Sequence, residues 1–438
     1  MMRLLFPLLG LLAASPVWAQ QQPRQRVLTL AEALRTARER QPQLRQAQAS
    51  TSAANARADQ NFASLLPQVS ASASYQKSLR SGTSTTTPGT TTPSGFISRE
   101  GLNVGASVNQ LLWDFGRTTG RWHSAQQSAE AQEATEAQTL LNVLSNVQTA
   151  YFNALAQQAL VRVSQETLEN EKAHLAQVQA QVQVGTRPEI DLLQQRTAVA
   201  NAQVQLIQAR NNAATSKAQL NQAMGVEGTT QFAVQEEAVA LVQGENEPVD
   251  TLVDVAFEGR PDLRASEHQL RAQELTISAT RANYLPSFSA QVSATDSGPN
   301  PANLDWGVTG QVGLSWSIFQ GGLTRAQVRE QQANLNNVQA QRDALRQTVR
   351  LEVERAQLAV TAARESESAA EEALTNARER LRLAEGRYRA GVGNIIELSD
   401  AQLSATNAAV QRVQAAYNLA TARTELARAL GRAAGPTA

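Results

Sequence analysis

The chain carries two kinds of hydrophobic pattern, one with the period of a helix and one with the two-residue period of a strand. The helical pattern is longest from Gly120 to Val184, a stretch without proline or internal glycine. Apolar residues recur there at every seventh position, namely Leu140, Val147, Ala154, Val161, Leu168, Leu175 and Val182. This repeat predicts a helix packed along a partner in a left-handed coil. At about 1.5 Å per residue, the helix would be about 97 Å long.

The helical pattern returns 206 positions further along the chain, from Arg325 to Ala390, and is broken there only by Gly386. Each long run ends at a glycine-containing segment, residues 184–190 in the first case and 390–396 in the second. A second helical run follows each segment. The sequence therefore predicts two helical hairpins with tight tips.

The equal spacing of the two hairpins indicates an internal two-fold repeat. The predicted divisions are a first repeat at 20–225, a linker at 226–249, a second repeat at 250–431 and a tail at 432–438. The return helices are predicted to end at residues 224 and 430.

Four shorter segments alternate apolar and polar residues with a period of two. They lie at about 68–76, 101–112, 287–295 and 305–317. Such alternation predicts strands with one apolar and one polar face. Turn-rich segments, residues 81–95 and 296–303, separate the members of each pair. Each strand has the length that a tilted strand needs to cross a bilayer.

Alternation alone is also typical of half-buried hairpins in a soluble sheet. Tyr75, Trp306 and Trp316 favour a membrane location, because they stand near the ends of the apolar faces, where an interfacial aromatic girdle lies. Four strands cannot close into a barrel, and open edges are not tolerated in lipid. We therefore expect copies of the chain to share one barrel, with eight strands from two copies or twelve from three.

The first 19 residues have the pattern of a secretory signal peptide. Arg3 precedes an apolar run from Leu4 to Ala14, and Val17-Trp18-Ala19 follows before a polar stretch. We expect residues 1–19 to be removed and the mature chain to be exported. The chain has no cysteine, which excludes a disulfide framework and a thioether-linked lipid anchor. With 39 basic and 39 acidic residues and no basic block, it is not expected to bind nucleic acid.

No arrangement of residues indicates catalysis. His123, His174 and His268 stand apart on polar helical stretches and are predicted to be solvated. Residues 391–393 contain Gly-x-Gly, but they follow a helix instead of a strand, so they do not indicate a nucleotide site. We expect no enzymatic activity, no cofactor and no metal ligands.

The hairpin tips hold the residues that we select as a candidate site. Glu397 and Asp400 are three apart at a helix start, and hence on one face, while Asp191 holds the position of Glu397 in the first hairpin. Residues 394–397 and 186–189 also have the spacing of a capping box. Because acidic residues are favoured at a helix N-terminus, capping alone would account for them.

Several motifs in a fixed order resemble one known family. They are LTLAEAL at 28–34, Leu-Pro at 66–67 and 285–286, LWDFGR at 112–117, IFQGG at 318–322 and the two tips. With them, the chain resembles the TolC family of outer-membrane efflux proteins. The resemblance implies a mixed fold of α-helices and membrane β-strands. It further implies a homotrimer with a twelve-stranded barrel in the outer membrane and a tunnel of long helical hairpins in the periplasm.

The resemblance also implies a periplasmic gate. Glu397 and Asp400 would face the tunnel axis, and Tyr388 would bond to Asp191 to hold the gate closed. Gly393 occupies a position where well-studied members can carry a basic gate residue. Arg187 and Arg389 are candidates to replace that residue, as salt-bridge partners or only as solvated bystanders.

The resemblance implies partners as well. The tips would dock to a periplasmic membrane-fusion adaptor, which connects the tunnel to an inner-membrane transporter. The adaptor-contact residues would be Val184, Gly185, Thr186, Gly391, Val392 and Gly393. The aromatic girdle would contact outer-membrane lipid.

We therefore expect a passive exit duct of a tripartite efflux or type I secretion system. One alternative is a structural or adhesive trimeric coiled-coil surface protein without a conducting lumen. Another is a soluble periplasmic coiled-coil scaffold.

Overall fold

A computed structural model describes residues 26–82, 95–228, 230–237, 241–300 and 303–432. The predicted signal peptide, residues 1–19, lies outside the described residues, as do residues 433–438 of the predicted tail.

Helices make up most of the described chain. The elements of the first half are β1 (Arg26–Leu28), α1 (Leu30–Arg40), α2 (Pro42–Ala63), β2 (Gln68–Gly82), β3 (Gly95–Trp113), α3 (Arg117–Gln183) and α4 (Glu189–Met224). Those of the second half are β4 (Phe232–Val234), α5 (Val249–Gly259), α6 (Pro261–Arg281), a 3₁₀ turn (Ala282–Tyr284), β5 (Ser287–Asn300), β6 (Asn303–Ser315), α7 (Leu323–Arg389) and α8 (Ile395–Ala429).

The two longest helices, α3 and α7, each have 67 residues. Both begin after a glycine in the left-handed conformation, Gly116 and Gly322. Helix α3 begins three residues earlier than the pattern predicted, because the buried carboxylate of Asp114 accepts a hydrogen bond from the backbone N–H of Thr118 at 2.8 Å. Of the heptad positions, Val147 and Ala154 are fully buried.

The short helices stack end to end beside the long ones. Gln41, just before α2, donates from Nε2 to the carbonyl oxygen of Ala223 at 2.7 Å, near the end of α4. Arg260, just before α6, donates from Nη1 to the carbonyl oxygen of Ala429 at 3.2 Å, at the end of α8. Each stack therefore satisfies carbonyl groups at a helix C-terminus that would otherwise lack a partner.

A small layer at the middle of the molecule ties these stacks to α3. Strands β1 and β4 pair in parallel. The hydroxyl of Tyr151 on α3 donates to the carbonyl oxygen of Gln235 at 2.8 Å and to that of Leu28 at 3.2 Å. Burial raises the pKa of Tyr151 to about 12. The predicted linker, residues 226–249, thus contains a strand and ends at the start of α5.

Thr29 is the N-cap of α1. Its Oγ1 accepts a hydrogen bond from the backbone N–H of Glu32 at 3.2 Å, at the N-terminus of α1.

The four long strands form one antiparallel sheet in the order β2-β3-β5-β6. Residues opposite each other share a face, and the register places Val69 opposite Val108, Val108 opposite Val292, and Ala290 opposite Val312. The other face carries serine, threonine, asparagine, glutamine and glycine. The polar exceptions on the apolar face include Gln110, Asp296 and the ion pair of Lys77 with Glu100. The sheet therefore has one largely apolar face and one polar face.

Strands β2, β3 and β5 are longer than the alternation predicted, whereas β6 keeps the predicted length and lies two residues earlier than the predicted 305–317. Residues 81–82, 95, 296–300 and 303 belong to strands, although they fall in the segments predicted as turns. Pairing continues there because the backbone ladder does not depend on alternating side chains.

A β-bulge alters the face of one aromatic residue. Leu111 pairs with Ser289, but the next pair is Trp113 with Phe288, so Leu112 is the extra residue. Because a one-residue shift exchanges the two faces of a strand, the bulge places Trp113 on the apolar face.

In the part of the chain that the structure describes, no helix combines the length and apolar character required to span a membrane.

Candidate functional site at the hairpin tips

The two hairpins pack against each other at their tips. Buried residues from α3, α7 and α8 form one hydrophobic cluster there, and Leu192 of α4 packs against it. The buried members are Val178, Ala384, Tyr388, Ile395, Leu398 and Ala401. This cluster fixes the position of one tip relative to the other.

The two tips begin their return helices differently. Asn394 caps α8, since its Oδ1 accepts a hydrogen bond from the backbone N–H of Ile396 at 3.2 Å. The capping box expected at residues 186–189 is wrong. Pro188 is the N-cap of α4, and the Thr186 hydroxyl donates to the carbonyl oxygen of Gln181 at 2.9 Å.

Tyr388 is at the centre of the contact between the hairpins, with 1% of its surface exposed. The bond expected between Tyr388 and Asp191 is absent, because the Tyr388 hydroxyl has no hydrogen-bond partner among the described residues. The Arg187 guanidinium lies over the Tyr388 ring instead. Burial raises the pKa of Tyr388, the nearby charge of Arg187 opposes that rise, and the charge of Asp191 adds to it.

Arg187 makes a second contact across the hairpins, with the backbone of Gly393. Its Nη2 donates to the carbonyl oxygen of Gly393 at 3.3 Å. A Cβ atom at Gly393 would lie 2.8 Å from the backbone nitrogen of Tyr388. Gly393 itself has no basic side chain, but the guanidinium of Arg187, from the first hairpin, lies against it. Arg389 instead pairs with Glu385 on its own helix, at 3.3 Å.

The acidic residues of the second tip differ in their surroundings. Glu397 lies 3.4 Å from the Nε atom of Arg387, a pair that the sequence did not suggest. Asp400 is exposed and has no ion-pair partner among the described residues. Asp191, in contrast, is buried.

Above the tip, a buried polar pair joins α3 to α4. The side chain of Gln195 donates from Nε2 to Oε2 of Glu171 at 2.6 Å, and Gln195 is 1% exposed. Burial raises the pKa of Glu171, while the hydrogen bond from Gln195 opposes the rise.

The expectation of solvated histidines is wrong for two of the three. His174 of α3 lies 3.7 Å from a carboxylate oxygen of Glu385 on α7. His268 of α6 lies 2.9 Å from a carboxylate oxygen of Glu130 on α3. His123 is exposed, beside the ring of Trp122. Sequence spacing could not show these pairs, because the partners are on separate helices.

The residues selected for adaptor contact lie at the surface of the tips. Val184, Gly185, Thr186, Gly391 and Val392 are exposed, and Gly393 is partly buried. Gly185 and Gly391 both have φ of +75°, with nothing within 4 Å of the position of a Cβ atom.

The selected aromatic residues are all exposed on the sheet. Trp306 lies near the end that is far from the helices, Tyr75 lies midway along β2, and Trp316 lies at the helix end. The indole N–H of Trp316 donates to the carbonyl oxygen of Tyr284 at 3.0 Å. Trp113, which the sequence did not single out, is also exposed at the helix end.

The described residues hold no group of three or more His, Cys, Asp or Glu side chains that could bind a metal ion. The tip thus supplies charge, a cation–aromatic contact and backbone carbonyl groups. Such groups can close or open a passage and attract ions.

Comparison with known proteins identifies the family. The sequence profile described as "Outer membrane efflux protein" matches residues 33–226 and 252–432. The chain belongs to this family, as the resemblance to TolC predicted. It is therefore a protein of the outer membrane.

Among curated relatives, the solvent efflux pump outer membrane protein SrpC of Pseudomonas putida is 27% identical over 275 residues, covering 60% of this chain and 55% of SrpC. The cation efflux system protein CusC of Escherichia coli is 24% identical over 255 residues, covering 56% of this chain and 55% of CusC. The match spans about half the length of these curated relatives. A crystal structure of a membrane protein from Pseudomonas aeruginosa has a TM-score of 0.81 and 23% identity, covering 92% of this chain and 90% of the other.

Proposed function

We propose that the protein is the outer-membrane exit duct of a tripartite efflux or type I secretion system. Three copies contribute four strands each to one twelve-stranded barrel, and their hairpins form a tunnel in the periplasm. The duct conducts cargo passively, and a partner transporter in the inner membrane supplies the energy.

The observation that carries this proposal is the single sheet with one largely apolar, exposed face. Its outer strands, β2 and β6, pair on one side only within the described chain. Such edges must be paired in lipid, so further copies are needed. From Trp306 to Trp316 a strand tilted by about 45° rises about 23 Å, close to the apolar band of about 25 Å in outer-membrane barrels.

The helices support association of copies as well. Large apolar side chains are exposed on α4, α7 and α8 of a single chain, among them Ile190, Ile207, Leu358 and Leu403. A second copy packed along these helices would cover these side chains.

The tips form the gate in this proposal. Arg187 and Tyr388 hold the two hairpins of one copy together, while Glu397 and Asp400 place carboxylate groups at the narrow end, with Asp191 buried behind them. The exposed tip residues, 184–186 and 391–393, dock to a membrane-fusion adaptor.

Three measurements test the function. After salt washing of membranes, the protein should sediment with the outer-membrane fraction, and the purified protein should run as a trimer in detergent. In planar bilayers it should give discrete conductance steps. A surface fibre would sediment without conducting, and a scaffold would be released by salt. A monomer that stays soluble without detergent would overturn the proposal.

A further inference from the structure

The junction between the sheet and the helices carries an excess of basic residues. Four arginines are exposed within about two helical turns of the strands: Arg121 on α3, Arg281 at the end of α6, and Arg325 and Arg329 on α7. We call them the junction arginines. None has a carboxylate within 4.0 Å among the described residues. Their positive charge is therefore not neutralised within the chain.

Carboxylates at the same level are fewer. Glu274 on α6 and Glu330 on α7 are exposed there, and Asp59 is exposed near the end of α2. Arg57, also exposed on α2, offsets Asp59. The carboxylate of Asp114 is buried and is bonded to Thr118. A net positive charge therefore remains around the junction.

One of the junction arginines, Arg325, lies in the first turn of its helix, where a basic residue is disfavoured. The N-terminus of a helix carries partial positive charge, so acidic residues are stabilising there and basic residues are not. Neither α3 nor α7 has an acidic residue in its first turn. Instead, Arg121 lies near the start of α3, and Arg325 and Arg329 lie near the start of α7. An anion outside the chain would be attracted by both the arginines and the helix ends.

Aromatic rings occupy the same level. Trp113 and Trp316 are exposed at the helix end of the apolar face. The ring of Phe115 contacts Trp113 edge-on, with centroids 6.0 Å apart. Beside Arg121, the ring of Trp122 packs on Phe62 with centroids 5.0 Å apart. Aromatic residues of this kind lie at the headgroup level of a bilayer.

We infer that the junction arginines, with the adjacent aromatic rings, bind the headgroups of anionic phospholipids in the membrane leaflet next to the helices. The phosphate groups neutralise the arginines, and the rings contact the upper acyl chains. The placement of this surface in that leaflet rests on the proposed function, in which the sheet is part of a membrane barrel. The headgroup layer on each side of a bilayer is about 5–8 Å thick, which matches the one or two turns over which the arginines are spread.

Lipid binding can be measured directly on the full protein. Nanodiscs would contain phosphatidylethanolamine with a minor share of phosphatidylglycerol. After extraction with a mild detergent, native mass spectrometry would count the lipids retained on the protein. We expect phosphatidylglycerol to be enriched over phosphatidylethanolamine, and the enrichment to fall as salt is raised. Inorganic phosphate, added at the same ionic strength, should lower the phosphatidylglycerol enrichment no more than chloride does.

The test variant is R121Q/R281Q/R325Q/R329Q. We expect it to lose the enrichment, with about a fivefold decrease for each arginine that contacts an anionic headgroup. The matched control, R196Q/R210Q/R355Q/R378Q, removes four exposed arginines without ion-pair partners that are far from the strands. It should retain the enrichment. Lysine at the four junction positions should retain most of it.

Equal enrichment in the junction variant and the wild-type protein would overturn the inference, and so would equal loss in the control. Planar-bilayer conductance of the same samples separates this result from the proposed function. Channels without selective lipid binding would refute the lipid surface alone. Absence of channels from the wild-type protein would refute the duct.

Discussion

The guanidinium of Arg187 lies over the ring of Tyr388, with its Cζ atom 4.5 Å from the ring centroid, and this contact joins the tips of the two hairpins. Arg187 is on the segment before α4, and Tyr388 is in the last turn of α7. The same arginine donates to the carbonyl oxygen of Gly393. One side chain therefore holds the first hairpin to two points on the second.

Removal of this arginine should destabilise the closed gate. A cation–aromatic contact contributes about 0.5–2 kcal/mol, and a charged hydrogen bond to a carbonyl group contributes about 1.5–3 kcal/mol. We expect R187Q to shift the equilibrium toward the open state at least about tenfold, measured as the time in the high-conductance state in planar bilayers. R196Q is the control, since Arg196 is exposed and unpaired. Unchanged gating in R187Q would show that Arg187 is not part of the gate.

The carboxylates of the second tip should control ion selectivity with a predictable sign. We expect replacement of Glu397 and Asp400 by alanine to lower the ratio of cation to anion permeability, because carboxylates at a narrow point attract cations. Asp400 alone should have a clear effect, since no cation neutralises it within the described chain. Reversal potentials across a salt gradient provide the measurement.

Removal of Arg387 should change ion selectivity in the opposite direction. Arg387 lies 3.4 Å from Glu397, so R387Q should leave that carboxylate uncompensated and raise cation selectivity. Selectivity that stays the same in all of these variants would remove the acidic residues from the conduction path.

The alternating faces of the four strands could be read from the sequence, whereas the position of Trp113 could not. Alternation predicts that Leu112 lies on the face of Val104 and Val108. The bulge at Leu112 places Trp113 there instead. A bulge depends on how the ladder meets the turn before α3, and no local pattern reveals it. The sequence therefore predicted one helix-end aromatic, Trp316, and missed the other.

The contacts between the tips could likewise be predicted only in part from the sequence. The spacing of the hairpins predicted that Gly185 and Gly391 would hold equivalent positions, and both have φ of +75°. The sequence could not predict that Arg187 contacts Tyr388 or that His174 pairs with Glu385. Those pairs depend on the rotation of one hairpin about the other, and the heptad pattern of one helix does not determine that rotation.

The tip glycines should matter for docking more than for assembly. No atom lies within 4 Å of a Cβ at Gly185 or Gly391, so a larger side chain would meet only backbone strain, about 1–2 kcal/mol in the left-handed conformation. We expect bulky substitutions at either position to abolish adaptor-dependent export and to leave the trimer intact on a denaturing gel.

Gly225 provides the contrast for this experiment. Its φ is +69°, and a Cβ there would lie 2.7 Å from the Cα of Gln41, where α2 stacks on α4. We expect G225V to reduce the yield of folded trimer. Loss of the trimer on substitution at Gly185 or Gly391 would instead assign these glycines to folding.

Glu171 should make the packing of α3 on α4 dependent on pH. Its pKa is raised by burial, above the value in an unfolded segment. A group of this kind contributes stability that is complete below its unfolded pKa and is lost as the pH rises through the higher, folded pKa. We therefore expect slower amide hydrogen exchange around Glu171 and Gln195 in mild acid than at neutral pH, after correction for the intrinsic rate.

The substitution E171Q should remove that dependence, because glutamine keeps the shape and an acceptor oxygen for the Nε2 group of Gln195 but does not titrate. At neutral pH, E171Q should exchange more slowly than the wild-type protein, since no charge is buried. His174 lies next to Glu171 and also pairs with Glu385, so H174Q is the control for titration of the histidine. A pH dependence that persists in E171Q and disappears in H174Q would assign the effect to His174.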